Sequence, residues 1–279
     1  MNRDEKNKGK VVVITGAAGV LCGVIAEDFA ARGARVALLD IDEAALAKIE
    51  KRLSGKGFTV KGYAASVLDK AALEEVRRRV ENDLGICDIL VNGAGGNNPA
   101  ATTGEEFFDA KNNGEVKSFF DLTEAGVDFV FNLNFKGAFL TTQIFARSMA
   151  ARGGGNILNI SSMNAYTPLT KIPAYSAAKA AVSNFTEWLA VYFAGAGVRV
   201  NAIAPGFFAT NQNKALLYNA DGGLTERSAK ILRNTPMNRF GKPEELLGAV
   251  RFLTDDASSG FVTGVVLPID GGFKAYSGV

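Results

Sequence analysis

The hydrophobic residues of this chain come in short, unbroken blocks, each followed by a longer stretch whose apolar positions recur at helical spacing. The blocks at residues 11–14, 35–40, 58–65, 87–91, 157–160, 198–204 and 264–269 are rich in aliphatic and β-branched residues and bounded by turn formers, so they read as strands buried on both faces. Between them, helical patterns run to about residue 32, from 42 to 53, from 69 to about 84, to about 151 from a start that Thr123 or Asp128 can cap, after Pro173, and from Pro243 to about 253. Strictly alternating strands and helices demand a mostly parallel sheet with right-handed crossovers. The expectation is one α/β domain over residues 1–279, doubly wound and Rossmann-like, with a seven-stranded sheet.

Two connections are longer than the fold requires. Residues 96–128 leave the carboxyl end of a strand, where open α/β sheets place ligands, and begin Gly96-Asn97-Asn98-Pro99. Asn97 and Asn98 suit a hydroxyl-rich substrate, or they are turn formers before a proline. Residues 207–238 read as a helical substrate lid, Phe-rich at first, then polar through Gln212 and Asn213, with Lys214, Arg227 and Arg233 on it and Arg239 just beyond. An arginine there can grip a carboxylate with both its N–H arms, or simply face solvent.

The turn Thr15-Gly16-Ala17-Ala18-Gly19 joins the first strand to the first helix. It presents the backbone N–H groups of Gly16, Ala18, Gly19, Val20 and Leu21 at a positive helix end, where a pyrophosphate binds without a cationic side chain. About twenty residues further on, Asp40 ends the second strand, at the interval where a dinucleotide site places the acid that accepts from the adenosine ribose hydroxyls. The alternative is a helix-capping Asp before Asp42-Glu43. A carboxylate at 40 repels a 2′-phosphate, and neither Ala17, Ala18 nor Ile41 supplies a cation, which favours NAD(H) over NADP(H).

Tyr175 and Lys179 are four residues apart and share one helical face. A nearby ammonium stabilises a phenolate and lowers the phenol's pKa, so that the phenol can both give and take a proton. Ser162, at the carboxyl end of the fifth strand, can hold a substrate oxygen beside that phenol. Tyr-x-x-x-Lys also arises by chance on helices, and its weight comes from Ser162 and the glycine turn.

Composition narrows the chemistry further. The chain has 279 residues, 47% of them hydrophobic, and a formal net charge of +2 with its cations dispersed among acids, which argues against a nucleic-acid surface. There is no histidine, and the two cysteines are Cys22 and Cys87. That excludes a Ser-His-Asp triad and the usual zinc sites, and two isolated cysteines fit a reducing cytoplasm. The charged leader before the uncharged run 11–26 mimics a secretory signal, but it contains Asp4 and Glu5, and the run is broken by Gly16, Gly19 and Gly23. No membrane span is expected. The helix ending near 151 and the one carrying Tyr175 are apolar on more than one side, which suggests a homodimer or homotetramer.

Together, Thr15 to Gly19, Asp40, Asn92-Gly93-Ala94-Gly95, Ser162, Tyr175, Lys179 and the ending Asp270-Gly271-Gly272-Phe273 resemble the short-chain dehydrogenase/reductase family from about residue 9 onward. Ser162 stands thirteen positions before Tyr175, as in the family motif. The resemblance implies Tyr175 as acid/base, Lys179 as pKa modifier and ribose ligand, Ser162 as oxyanion donor, and Asn134, in Asn-x-x-Gly, as anchor of a proton-relaying water. Asn132 is its competitor, and spacing to Gly137 favours Asn134. The resemblance also places Ser66 and Val67 at the adenine, Asn92, Gly93 and Ala94 along the cofactor, and Pro205, Gly206, Phe208 and Thr210 by the nicotinamide.

Three positions depart from the family pattern. Val20 and Cys22 stand where the second and third fingerprint glycines belong, and Gly93 replaces the second Asn of Asn-Asn-Ala-Gly. Val-Leu-Cys, Gly-Gly-Asn-Asn-Pro, Pro-Gly-Phe-Phe and Thr-Pro-Met-Asn-Arg-Phe-Gly are similar to the branch that interconverts D-mannonate and D-fructuronate with NAD. Asn97, Asn98, Asn164, Gln212 and Asn213 then become candidate substrate contacts, with Ser162 and Tyr175. The rivals are another sugar-acid or polyol dehydrogenase, such as a gluconate 5-dehydrogenase, and a non-catalytic NAD-sensing protein on the same fold.

Overall fold

Seven apolar blocks pair edge to edge because each carries buried side chains on both faces and can satisfy its backbone only between neighbours. The computed structural model describes residues 7–111, 114–210, 217–219 and 221–278. The strands are β1 (Val11–Thr15), β2 (Arg35–Asp40), β3 (Val60–Ala64), β4 (Ile89–Asn92), β5 (Gly155–Ile160), β6 (Val198–Pro205) and β7 (Val266–Ile269). Their order is 3-2-1-4-5-6-7, and every pair is parallel. β4 starts two residues later than its apolar pattern suggests, because Asp88 accepts from Val11 N at 2.7 Å and pairs with Arg152 at 2.8 Å.

Alternate residues of each strand serve opposite layers. Val12 and Ile14 pack with α1 (Val20–Ala31), α2 (Glu43–Ser54) and α8 (Leu247–Thr254), whereas Val11 and Val13 pack against α3 (Lys70–Asp83), α5 (Gly137–Ala151) and α6 (Pro173–Phe193). Asp42 and Asp69 cap α2 and α3 by accepting from Ala45 N and Ala72 N, at 2.9 and 3.0 Å.

The long helix expected to end near residue 151 is broken. Thr123 caps α4 (Glu124–Phe131), a π-turn follows at Asn132–Lys136, and α5 resumes at Gly137. Gly137 is needed there, since a Cβ would lie 2.8 Å from Val67. In the segment expected to be a lid, Thr225 caps α7 (Glu226–Arg233). Gln212 and Asn213 lie outside the described residues. A short helix, α9 (Asp256–Ser259), precedes β7.

A chain of buried polar side chains ties the sheet to the two helices that carry the site. Thr141 donates to Asn92 Oδ1 (2.6 Å), Asn92 Nδ2 donates to Thr142 Oγ1 (2.9 Å) and Asn159 Oδ1 (2.8 Å), and Asn159 Nδ2 donates to Thr186 Oγ1 (2.9 Å). β4, β5, α5 and α6 are thereby joined. On the outer side of α5 and α6, Phe135, Phe139, Phe185, Trp188 and Tyr192 form a continuous aromatic face, with Trp188 and Tyr192 more than half exposed. Among the described residues, no helix is long and apolar enough to cross a membrane.

Replacing Asn159 by Ala strands a buried donor on Asn92 and loosens Thr186. Asn159→Ala should lower the unfolding free energy by about 2–4 kcal/mol in urea titration, far more than a substitution at exposed Arg147.

Candidate active site

Strand ends, a helix start and a helix break converge at the carboxyl edge of the sheet. Ser162, just past β5, caps the 3₁₀ turn Met163–Ala165, accepting from Asn164 N at 3.3 Å. Its hydroxyl is hydrogen-bonded to the phenol of Tyr175, in the first turn of α6. Lys179, one turn on, is only 4% exposed and donates to Ile160 O at 2.8 Å, with Nζ 5.7 Å from the Tyr175 ring centroid.

The electrostatics differ from what the four-residue spacing predicts. Burial pushes the Tyr175 phenol up, with the Ser162 hydrogen bond opposing it. Burial likewise pulls the Lys179 ammonium down from 10.5 to about 8. Desolvation dominates because the ammonium sits over the ring and points to a backbone carbonyl, away from direct contact with the phenolic oxygen.

Asn134 lies inside the π-turn, where the extra residue opens the helix ladder and turns its amide inward. Nδ2 donates to Gly96 O (2.7 Å) and Val130 O (2.8 Å), and Oδ1 accepts from Gly96 N (3.2 Å). The competitor Asn132 is only partly buried. Gly95 joins Asn134 to Lys179, since a Cβ at 95 would fall 2.6 Å from Asn134 Oδ1 and 3.1 Å from Lys179 Nζ. Ser162, Tyr175, Lys179 and Asn134 therefore meet in one place.

Beside them runs a groove of about 470 Å³ along the β1–α1 turn. Gly16, Ala18, Gly19, Val20 and Leu21 form its floor, Asp40 and Ile41 one end, Ser66 and Val67 a wall, and Gly93 and Ala94 the side nearest Lys179. Gly16 has φ +67°, and a Cβ there would lie 2.9 Å from Ala94, so only glycine lets the two turns close on each other. Thr15 Oγ1 holds the second turn by accepting from Gly93 N (3.0 Å) and Ala94 N (3.1 Å). The amino end of α1 has no side-chain cap, which suits a bound phosphate. Asp40 accepts from Ala18 N (2.9 Å) and Asp42 N (3.1 Å), while Asp42 caps α2, so Asp40 is not the helix cap.

The remaining candidates divide. Asn92 lies beneath the groove in the buried polar chain. Pro205 ends β6, and Gly206 donates to Ile269 O at 2.9 Å, with Thr210 four residues beyond. The Phe208 ring packs in the core and lines a separate cavity of about 400 Å³ together with Arg239 and Asp270. Asn97 donates to Thr102 Oγ1 (3.0 Å), and Asn98 accepts from Ala100 N (2.8 Å) as the cap of a 3₁₀ turn. Asn164 is 5% exposed, and its Oδ1 has no hydrogen-bond partner. Arg239 is held by Glu245 through two bonds of 2.7 Å, whereas Arg227 and Arg233 are exposed on α7.

Two of the three departures from the family motif, Cys22 and Gly93, touch each other. A Cβ at Gly93 would stand 2.2 Å from Cys22 Sγ, so the thiol fills the space that a side chain at 93 would need. Both positions were visible in the sequence, but their contact was not. Burial pushes the Cys22 thiol up to about 12, which leaves it inert. Sequence reasoning also missed Glu106, which pairs with Lys230 of α7.

Residues 10–220 match the short chain dehydrogenase family, and the chain belongs to it. An uncharacterised oxidoreductase of Haemophilus influenzae is 57% identical over 98% of this chain and 95% of its own length. UxuB of Bacillus subtilis, also an uncharacterised oxidoreductase, is 50% identical over 99% of this chain and 98% of its own. Among solved structures, a candidate D-mannonate oxidoreductase of Haemophilus influenzae with bound NAD superposes with a TM-score of 0.94 at 57% identity, covering 98% of this chain and 97% of that one. A gluconate 5-dehydrogenase of Burkholderia cenocepacia in complex with NADP and tartrate gives 0.80 at 30% identity, covering 98% of both chains.

Lys179 carries a stability penalty that its pKa exposes. Below about pH 8 it is charged in the folded and unfolded chain alike, and the folded chain bears the cost of burial; between about 8 and 10.5 the folded chain gives up the proton first. Lys179→Met should therefore stabilise the cofactor-free protein near pH 7 by up to about 3 kcal/mol, a gain that shrinks as pH rises toward 10.5, as denaturant titrations at several pH values would show. Gly93→Ala should weaken dinucleotide binding at least about tenfold, and Cys22→Gly in the same chain should recover part of that loss in fluorescence titration.

Proposed function

We propose that this protein is an NAD-dependent oxidoreductase that interconverts a sugar acid and its keto form, D-mannonate and D-fructuronate foremost. The observation that carries the reading is the meeting of Ser162, Tyr175, Lys179 and Asn134 at the open side of a groove shaped for a dinucleotide. The groove fits the cofactor on its own chemistry: a glycine cradle that a Cβ would fill, an uncapped helix end for the pyrophosphate, and Asp40 for the ribose hydroxyls. Asp40 without a neighbouring cation favours NAD, and the Haemophilus relative holds NAD.

Bound NAD(H) supplies the two-electron acceptor or donor at its nicotinamide ring. The chain's own residues manage the proton. In the oxidising direction the Tyr175 oxygen takes the proton from the carbinol hydroxyl, and in the reducing direction it returns it to the carbonyl oxygen. Ser162 donates to the same oxygen and holds it against the phenol. Lys179, charged below about pH 8, is the cation beside the phenol and the ligand for the cofactor ribose, and Asn134 anchors the water through which the proton leaves.

The sugar-acid reading rests on the Haemophilus relative and on the unpartnered amide oxygen of buried Asn164, with Asn97, Asn98, Gln212 and Asn213 as further candidates. The rival is a polyol or gluconate dehydrogenase, favoured by the likeness to the Burkholderia enzyme. A second copy of the chain is the natural cover for the aromatic face of α5 and α6, giving a homodimer or homotetramer. Two free, buried cysteines suit a reducing cytoplasm.

A panel of D-mannonate, D-gluconate and xylitol with NAD and NADP, followed at the nicotinamide absorbance, should show turnover with D-mannonate and NAD. A preference for xylitol or for NADP would sink the reading. Tyr175→Phe should cut kcat by about 10²–10⁴ while NADH affinity stays within about twofold. An active Tyr175→Phe enzyme would remove the phenol from the chemistry.

A further inference from the structure

The long connection after β4, the segment after β5 and the lid after β6 all leave the same edge of the sheet, and β5 lies between its two neighbours. Ser162 and Tyr175 sit above β5. A contact between the first connection and the lid therefore lies at the same edge of the sheet as Ser162 and Tyr175. Glu106 and Lys230 make such a contact, carboxylate directly to ammonium. The middle segment is tied in as well: Lys171 Nζ donates to Gly104 O (2.8 Å), and Thr103 N donates to Lys171 O (2.9 Å). Lys230, and with it Lys171, holds the Glu106 carboxyl below the usual carboxylate range.

The helix bearing Lys230 is built to offer cations. Ser228 and Ile231 of α7 are buried, and Ile231 packs with Leu217 and Phe240, while Arg227, Lys230 and Arg233 recur every three residues on the exposed side. Among the other described cations near that edge, Arg239 is committed to Glu245 and Lys117 to Pro99 O at 2.7 Å.

From this arrangement we infer that Lys230 grips the carboxylate of the substrate and that Glu106 is the internal counter-ion which the substrate displaces. The inference rests on the sugar-acid reading above. An open-chain hexonate carries its carboxylate several bonds from the reacting carbinol, so the group that binds it belongs at the rim of the cleft. One carboxylate exchanging for another keeps Lys230 paired, while the displaced Glu106 carboxylate turns to solvent within the field of Lys171. A neutral polyol cannot make that exchange and leaves Glu106 on Lys230, so the pair selects for acids.

The test compares D-mannonate with D-mannitol, its uncharged analogue, on wild type, Lys230→Met, Lys230→Arg and Glu106→Gln, with thermal unfolding and the KM for NAD as controls. Lys230→Met should raise the KM for D-mannonate by about 10- to 100-fold and leave the KM for NAD unchanged. Lys230→Arg should retain most of the affinity, and Glu106→Gln should lower the KM for D-mannonate by about threefold or more. The opposite signs are decisive. If the pair merely fastens the lid, Glu106→Gln and Lys230→Met raise KM together and the proposal falls. It also falls if wild type oxidises D-mannonate and Lys230→Met does so with the same KM. A wild-type enzyme active on mannitol but on no hexonate would instead overturn the sugar-acid reading itself.

Discussion

Asn92 and Asn159 face each other from adjacent central strands, and through them the sheet holds α5 and α6 in register. Neither amide is exposed, so each must find its partners inside the protein, and each finds them on a threonine of a helix. An apolar layer would bind the helices to the sheet as firmly but would let them slide, because hydrophobic contact has no direction. Hydrogen bonds of fixed length do not slide. The helix that carries Tyr175 and Lys179 is thereby fixed relative to the sheet.

Above that anchor the protein accepts a local cost. Lys179 is an ammonium with almost no solvent, held by one backbone carbonyl and pressed against the glycine turn that also receives Asn134. Its pKa falls because water is absent, and the phenol beside it rises for the same reason. Both groups are poised away from their solution values before any ligand contributes. The π-turn serves the same end, giving up regular helix bonding so that one amide can point inward.

The turn around Gly93 shows how a fingerprint can change without losing its function. A cysteine in place of a glycine would crowd the floor of the groove, and the neighbouring turn makes room by losing a side chain of its own. What is preserved is the shape of the backbone that faces the ligand. Two substitutions that look like separate defects along the chain are one accommodation in space.

Much of this architecture is legible along the chain. The strand blocks, the glycine turn, the acid at Asp40 and the Ser162, Tyr175 and Lys179 spacing depend on local chemistry and on fixed intervals, which a linear sequence records. Charge balance across the site is not recorded there, because the spacing of Tyr175 and Lys179 says nothing of the water excluded around them. Nor are contacts between distant segments, such as Cys22 with Gly93, Glu106 with Lys230, or Asn98 turned back to cap its own turn. The sequence by itself determined which elements form and which groups can do chemistry, since those follow from side-chain type and periodicity. Only the packed tertiary structure decided which of these groups are dry, which are already paired and which face one another, since burial and distance exist only once the crossovers have brought remote residues together.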